Sequence, residues 1–319
     1  MEAASTHIIV HFAAALVFLA LFIAYHTQLR KCRFLEKNLH EHQQNYQVLA
    51  KRVEYSVAER TDELRRKNVR LSRHIDELEK DAEAGKHIQT RLLPENPMTI
   101  GDYHFRYTLY PSHYFSGDFV DWFEIDADHV GFYFADVSGH GLPSSFLTVF
   151  LKTLVSNTLE GYTNGNNSRI LDPAQLLLYV NGEIMRQHFD KHLTLYYGLL
   201  TKSSNTLLCS SGGQYPFPVL ISGGQQIPLS SEGAYPLGLF GFADYRNQSY
   251  NLPERFALTI ASDGFLELMD GEDVLQKEAD FIDLCRSGKM SEEDLLRRLK
   301  AHGAEMLPDD VTLLNITKG

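Results

Sequence analysis

The distribution of hydrophobic and polar residues divides the chain into three segments. Residues 8–25 form an unbroken apolar run without a formal charge. Residues 28–93 are rich in charged residues and helix formers, with apolar residues at four- and three-residue steps. After Pro94, short apolar runs alternate with glycines and aromatic residues. These patterns predict a membrane-spanning helix, a coiled coil and an α/β globular domain over residues 94–319.

The apolar run extends from Ile8 to Tyr25, and its 18 residues can cross a hydrocarbon layer of about 30 Å as a helix. A cleaved signal peptide is the main alternative, but no Lys or Arg precedes the run, which is also long for a signal core. The residues that follow directly include Arg30, Lys31, Arg33 and Lys37. The positive-inside rule therefore predicts a single-pass inner-membrane protein with residues 1–7 outside and the globular domain in the cytoplasm.

The segment from 28 to 93 has the properties of a long coiled-coil helix. It contains no proline and one glycine. Its second half carries a heptad seam that weakens towards its end, formed by Leu64, Asn68, Leu71, Ile75, Leu78, Ala82, Gly85, Gln89 and Leu92. A similar seam upstream is joined to it by a stutter near Val57. A solvated single helix is the alternative; Asn68 at a core position favours a parallel homodimer, because a buried amide pairs best with its own counterpart.

Net charge and cysteine content argue against a nucleic-acid-binding protein and against a disulfide-stabilised protein. The net charge of −11 argues against nucleic-acid binding, which needs a positive surface. Three widely spaced cysteines form neither a disulfide framework nor a metal-binding pair, so a reducing compartment is expected.

Aspartates stand at the ends of several predicted strands of the globular domain. They are Asp118 with Asp121 close behind it, Asp136, Asp263 and the pair Asp309 and Asp310. Each alone is an ordinary turn residue. If the strands pair antiparallel, however, the carboxylates meet at one end of the sheet, where they would repel one another without a cation. Oxygen ligands without a His or Cys cluster favour Mg²⁺ or Mn²⁺, and two such ions can support phosphoryl transfer.

These segments resemble, in order and spacing, the SpoIIE/RsbU branch of the PPM-type serine/threonine protein phosphatases, which are bacterial relatives of the phosphatase 2C family. The resemblance covers roughly residues 86–316. It rests on "KHIQTRLLP", "SGDFVDWF", "FADVSGHGLPSSFL", "YYGLL", "YPLGLF", "ASDGFLELMD" and "PDDVTLL". It implies an α/β sandwich of two antiparallel sheets flanked by helices, with a centre of two Mn²⁺ or Mg²⁺ ions.

The resemblance also implies roles for particular residues in catalysis and metal binding. Asp136 is expected to bridge both ions, and the backbone carbonyl of Val137 to bind one of them. Asp263 and Asp309 are expected to bind the other ion. Asp118 would contribute directly or through water, and Asp310 is a possible ligand of a third ion or a residue that supports the ligands.

Two features around these motifs carry further expectations. Where the family commonly has a histidine after the central hairpin, this chain has Gln214, which predicts a modest effect on rate or substrate choice. His140 is expected to be a plain turn residue. In the helix after Pro143, one face is expected to pack into the core through Leu142, Phe146, Val149 and Thr153.

The sequence thus predicts a membrane-anchored protein phosphatase whose coiled-coil linker controls its activity. Its substrate would be a phosphorylated cytoplasmic regulator, by resemblance an anti-sigma-factor antagonist, and a membrane sensor protein is a plausible partner. A sensor histidine kinase with His74 as phosphoacceptor is a weaker alternative, because the chain lacks its ATP-binding motifs. A catalytically inactive scaffold is the third hypothesis, which the intact aspartates disfavour.

Overall fold

The structure is a computed structural model, and the chain divides into two compact units, residues 1–78 and 79–319. The structure describes residues 2–139, 141–229, 235–269, 271, 273–288, 292–302, 307 and 309–319. Of residues 2–10, 292–293 and 300–302, only the backbone is described.

The first unit consists of a single long helix. Helix α1 runs over Glu2–Leu92, so its last turns belong to the second unit. It contains an 18-residue window of mean hydropathy 1.8 whose side chains are exposed, so by length and composition alone it could cross a membrane. Further along, Leu35, Leu39, Leu64 and Leu71 are also exposed, which leaves an apolar stripe on the helix surface.

The second unit contains short strands and helices in alternation. The described strands are β1 Met98–Ile100, β2 Tyr103–Tyr110, β3 Asp118–Glu124, β4 His129–Val137, β5 Leu193–Thr201, β6 Thr206–Gly212, β7 Val219–Ser222, β8 Gln225–Ile227, β9 Gln248–Asn251, β10 Phe256–Ala261 and β11 Val311–Lys318. The helices are α2 Leu142–Thr163, α3 Pro173–Gln187, α4 Asp263–Glu267, α5 Val274–Ser287 and α6 Glu292–His302, with a 3-10 helix at Arg169–Leu171.

The strands form two antiparallel sheets. One has the order β1-β2-β11-β10-β7-β8 and the other the order β3-β4-β5-β6-β9. Their facing sides share one apolar core, in which the ring of Phe105 stacks on Trp122 at a centroid distance of 5.3 Å. Helices α2 and α3 cover the outer face of the second sheet, and α4, α5 and α6 pack on the first. The predicted sandwich of two antiparallel sheets flanked by helices is therefore confirmed.

Strand β4 shows how the sequence fixes the position of Asp136. Because side chains alternate along a strand, Phe132 and Phe134 enter the core between the sheets. Tyr133 and Ala135 pack towards the helices on the other face. Asp136 lies on the same face of the strand as Phe132 and Phe134. It is therefore at the end of the inter-sheet core rather than under a helix.

The prediction of which face of α2 packs into the core is wrong. Leu142 is 49% exposed and Phe146 is 60% exposed, whereas Leu147 and Leu151 are fully buried. The buried face also includes Ser144, Ser145 and Thr148, so small polar residues pack inward where apolar ones were expected. Their hydroxyl groups donate to backbone carbonyls, which satisfies them without water.

Candidate metal centre

Asp118 and Asp136 face each other across neighbouring strands. Strands β3 and β4 pair antiparallel, and Asp118 is the direct partner of Asp136 in their register. Side chains of directly opposed residues lie on the same face of a sheet, close to each other. Asp121 lies on the opposite face, where its carboxylate accepts a hydrogen bond of 2.6 Å from Lys152. The structure therefore separates Asp121 from the other strand-end aspartates.

Asp263 and Asp309 come from the other sheet. Asp263 is the first residue of α4 and is separated from β10 by Ser262, and Asp309 lies two residues before β11. Strands β10 and β11 are antiparallel neighbours, with Ala261 opposite Leu313. The end of one strand and the start of the other are therefore adjacent, and both sheets contribute carboxylates to one end of the sandwich.

The electrostatic properties of Asp136 show that the carboxylates are close enough to repel one another. Burial raises the pKa of Asp136 to about 7, with further increases from the charges of Asp263, Asp309 and Asp310. Burial likewise raises the pKa of Asp118 well above its usual range, and the charge of Asp136 adds to this effect. One oxygen of Asp118 is buried without a hydrogen-bond partner in the described part of the chain. A cation at this position would offset both the desolvation and the repulsion.

Asp310 has a different environment from the other aspartates. Its Oδ1 accepts hydrogen bonds from the backbone N–H and the hydroxyl of Ser112, at 2.6 and 2.9 Å. Its Oδ2 accepts from the Ser116 hydroxyl at 2.9 Å and from the Gly117 N–H at 2.6 Å. The Ser116 hydroxyl in turn accepts from the N–H of Asp118. Asp310 thus fixes the loop that leads into Asp118.

Glycines allow the backbone to approach closely around the carboxylates. A Cβ atom at Gly264 would lie 2.1 Å from the carbonyl oxygen of Asp310. At Gly117 it would lie 2.7 Å from the carbonyl oxygen of Val137. Neither position has room for a side chain, which explains the glycines next to Asp263 and Asp118.

The donor set fits a hard divalent cation. Carboxylates and the carbonyl of Val137 offer only oxygen atoms, which suits Mg²⁺ or Mn²⁺. Among the residues that the structure describes, no group of three His, Cys, Asp or Glu side chains is already arranged to hold a metal ion.

Gln214 lies inside the protein, next to the strand that leads to Asp263. It is 2% exposed, and its Nε2 donates to the carbonyl oxygen of Ala261 at 2.8 Å. Ala261 is two residues before Asp263, so Gln214 supports the strand end that carries this carboxylate. Its Oε1 has no hydrogen-bond partner among the described residues. His140 lies outside the described residues.

The end of α1 packs against the loop before Asp118. The side chain of Gln89, 8% exposed, donates to the Ser116 carbonyl at 2.7 Å and accepts from the Ser116 N–H at 3.1 Å. A Cβ atom at Gly85 would lie 2.6 Å from the ring of Phe115. The heptad pattern predicted that both residues lie on the coiled-coil seam. In the structure both residues contact the loop before Asp118 in the second compact unit, which begins at Glu79.

Solved structures share this fold. The SiaA-PP2C domain of Pseudomonas aeruginosa aligns with a TM-score of 0.59 and 21% identity, over 75% of this chain and 96% of that chain. The RsbU and RsbW domains of Rv1364c from Mycobacterium tuberculosis align with a TM-score of 0.55 and 21% identity, over 71% of this chain and 61% of that chain. These similarities define a PP2C-type phosphatase fold.

The family assignment is supported by the sequence as well. The PP2C phosphatase domain of SpoIIE from Bacillus subtilis, with a fragment of its regulatory domain, aligns with a TM-score of 0.52 and 16% identity, over 70% of this chain and 64% of that chain. The sequence model of the SpoIIE family, Stage II sporulation protein E, matches residues 126–318. No curated protein matches the chain. The chain belongs to the SpoIIE family and is a PPM-type serine/threonine phosphatase, not a histidine kinase.

Proposed function

We propose that this protein is a membrane-anchored, metal-dependent phosphatase that hydrolyses phosphoserine or phosphothreonine on a cytoplasmic regulatory protein. The observation that carries the proposal is the cross-strand pair of Asp118 and Asp136, with Asp263 and Asp309 from the second sheet at the same end of the sandwich. The raised pKa values of the paired carboxylates support a site that is complete only with cations.

Each residue has a role in this proposal. Asp136 would be shared by two Mn²⁺ or Mg²⁺ ions, the carbonyl of Val137 would hold one, and Asp263 and Asp309 would hold the other. Asp118 would contribute directly or through water. When bound, the ions supply an activated water and stabilise charge on the transferred phosphoryl group. Asp310 stays hydrogen-bonded to the loop before Asp118 and positions it.

The substrate is a phosphorylated regulator, by the family resemblance an anti-sigma-factor antagonist or a similar small protein. The SpoIIE structure is described as that of a cell fate determinant, and the mycobacterial chain joins an RsbU domain to an RsbW domain. Both descriptions support a role in regulation. A protein of net charge −11 has no general affinity for nucleic acids, which supports a protein substrate.

The apolar window of α1 anchors the protein in the inner membrane, and its basic flank keeps the phosphatase unit in the cytoplasm. A membrane sensor protein is a possible partner of this segment. The exposed apolar stripe of the first unit is covered by a second copy in a parallel homodimer. Helix α1 continues without a break to Leu92, so a change in the coil reaches Gln89 and through it the loop before Asp118.

Phosphate release from the full chain in detergent micelles tests the proposal. A phosphoserine peptide, a panel of phosphorylated cytoplasmic proteins and para-nitrophenyl phosphate serve as substrates, with Mn²⁺ or with EDTA. The proposal predicts phosphate release with Mn²⁺ and its loss in EDTA. Equal release in EDTA would overturn metal dependence. Mn²⁺ binding without release from any substrate would support the inactive scaffold instead.

A further inference from the structure

Lys191 lies next to the backbone that carries the central aspartate. It is two residues before β5, whose Thr194 pairs with Asp136. The pairing continues beyond the strand ends, because the N–H of Ser138 donates to the carbonyl of His192 at 2.9 Å. The N–H of His192 donates to the Ser138 hydroxyl at 3.2 Å. The segment that holds Lys191 is therefore fixed to the loop after Asp136.

The ammonium group of Lys191 is folded back over this loop. Its Nζ donates to the carbonyl oxygen of Ser138 at 2.8 Å. A Cβ atom at Gly139 would lie 2.7 Å from the same nitrogen. Gly139 also has φ +72°, a backbone conformation that favours glycine. The bare backbone at this position gives the ammonium room to sit against the loop.

This lysine differs from two other part-buried lysines of the phosphatase unit. Lys152 pairs with Asp121 at 2.6 Å and Lys202 pairs with Glu124 at 2.9 Å. Within the described ranges, Lys191 has no carboxylate partner, and its hydrogen bond to Ser138 uses one of its three N–H donors. A cation without a counter-charge, held beside a phosphatase centre, is available for an anion.

We propose that Lys191 binds the phosphoryl oxygens of the phosphoserine or phosphothreonine substrate and positions that group over the carboxylate cluster. The inference rests on the proposed phosphatase function. A lysine ammonium suits this task, because it offers a compact charge and rotatable donors to phosphate oxygens. Its bond to Ser138 fixes the charge before substrate arrives, so little ordering is required on binding.

The test compares three variants of the full chain in Mn²⁺. Lys191→Met removes the charge, Lys191→Arg keeps it, and Lys202→Met removes a lysine at the opposite end of the same strand. Steady-state kinetics with a phosphoserine peptide give KM and kcat separately. Calorimetric titration with inorganic phosphate measures anion binding without turnover, and titration with Mn²⁺ measures metal affinity.

The proposal predicts that Lys191→Met raises KM and the dissociation constant of inorganic phosphate about tenfold, as for a lost charged hydrogen bond. Mn²⁺ affinity stays unchanged, Lys191→Arg restores most of the loss, and Lys202→Met behaves as wild type. Unchanged phosphate binding in Lys191→Met would overturn the proposal. Weaker Mn²⁺ binding with normal phosphate affinity would also overturn it, because Lys191 would then only support the loop. A wild-type chain inactive on every phosphorylated substrate would instead refute the phosphatase function.

Discussion

Asp118 and Asp310 are both buried, but their hydrogen bonds give them opposite effects on stability. Asp310 accepts four hydrogen bonds from the loop at 112–117. Asp118 has a buried oxygen without a partner among the residues that the structure describes. A buried polar group that makes its hydrogen bonds stabilises a fold. A buried carboxylate oxygen without a hydrogen bond destabilises it, and a bound ligand can offset this loss.

The variants Asp118→Asn and Asp310→Asn separate these roles. Asp118→Asn should leave the metal-free protein at least as stable as wild type, because it removes the repulsion with Asp136. The same change should lower Mn²⁺-dependent turnover about a hundredfold or more.

Asp310→Asn should lower the free energy of unfolding by about 3 kcal/mol, because an amide NH₂ then faces N–H and O–H donors. Chemical denaturation and phosphate release measure both effects. Equal destabilisation by the two changes would contradict this division.

Asp126 gives a pH-dependent contribution to stability. Desolvation raises its pKa, but hydrogen bonds from the Tyr162 hydroxyl, the Asp128 N–H and His129 outweigh this and lower it. A depressed pKa means that the stabilisation is fully present above the unfolded-state pKa of about 4 and is lost as the pH falls below it. Asp126→Asn should therefore destabilise the protein most at pH 7 and somewhat less at pH 3, where only part of the stabilisation has been lost. Urea unfolding at both values checks this, and a pH-independent difference would refute it.

At the scale of elements, the last turns of α1 act as part of the phosphatase unit. Gln89 holds both backbone groups of Ser116, and the Ser116 hydroxyl bonds Asp310 and the N–H of Asp118. The helix end and the loop before the site therefore form one hydrogen-bonded assembly. We therefore expect movement of this helix end to change the position of Asp118.

Gln89→Ala should lower Mn²⁺ affinity and turnover by about tenfold, in the range seen when a residue that orients metal ligands is removed. Thr90→Ala is the matched control, because the hydroxyl of the adjacent Thr90 donates to the Lys86 carbonyl of its own helix. Mn²⁺ titration calorimetry gives the affinities. If both variants bind Mn²⁺ like wild type, the helix end does not support the site.

The local hydrophobic and polar pattern of the sequence predicts the secondary-structure elements well. It predicts the contacts between distant elements poorly. The strand-end aspartates could be found because a carboxylate recurs at the beginning or the end of an apolar strand at several places in the chain. The buried face of α2 could not, since it carries Ser144, Ser145 and Thr148 while Leu142 and Phe146 point outward. Hydropathy alone selects the wrong face when inward hydroxyls bond backbone carbonyls.

Contacts between distant segments are not evident from the sequence either. Gln89 occupies a heptad position, but its bonds reach Ser116, which lies 27 residues further on. Lys191 meets Ser138, which is 53 residues away. Gln214 is buried and donates to the carbonyl of Ala261, which is 47 residues away. These roles depend on how strands pair, which side-chain periodicity within one segment does not specify.

At the scale of the whole molecule, crosslinking through Cys32 can test the proposed homodimer. It lies three residues before Leu35, so it continues the upstream seam of apolar residues. Cys32 is exposed, whereas Cys209 and Cys285 are buried, so the chain carries a single exposed thiol. In a parallel pair in register, the two Cys32 residues face each other.

Mild oxidation of membranes should therefore produce a disulfide-linked dimer through Cys32, because equivalent seam positions bring the two residues within the Cα–Cα distance of about 7 Å that a disulfide requires. Cys32→Ser should abolish the product. As a matched control, Lys37→Cys in the Cys32→Ser background places a thiol on the outward face and should crosslink poorly. Non-reducing electrophoresis separates the crosslinked dimer from the monomer. Equal crosslinking at both positions would contradict a parallel coil with this seam.

The carboxylates at the end of the two sheets are proposed to bind the divalent ions of a phosphatase, and all other functional proposals depend on this. Calorimetric titration of the metal-free full chain with Mn²⁺, in wild type and in Asp136→Asn, tests it most directly, with exposed Asp102→Asn as control. We predict two ions per chain in wild type and Asp102→Asn, and loss of the tight binding in Asp136→Asn. Wild-type Mn²⁺ binding by folded Asp136→Asn would contradict the metal centre.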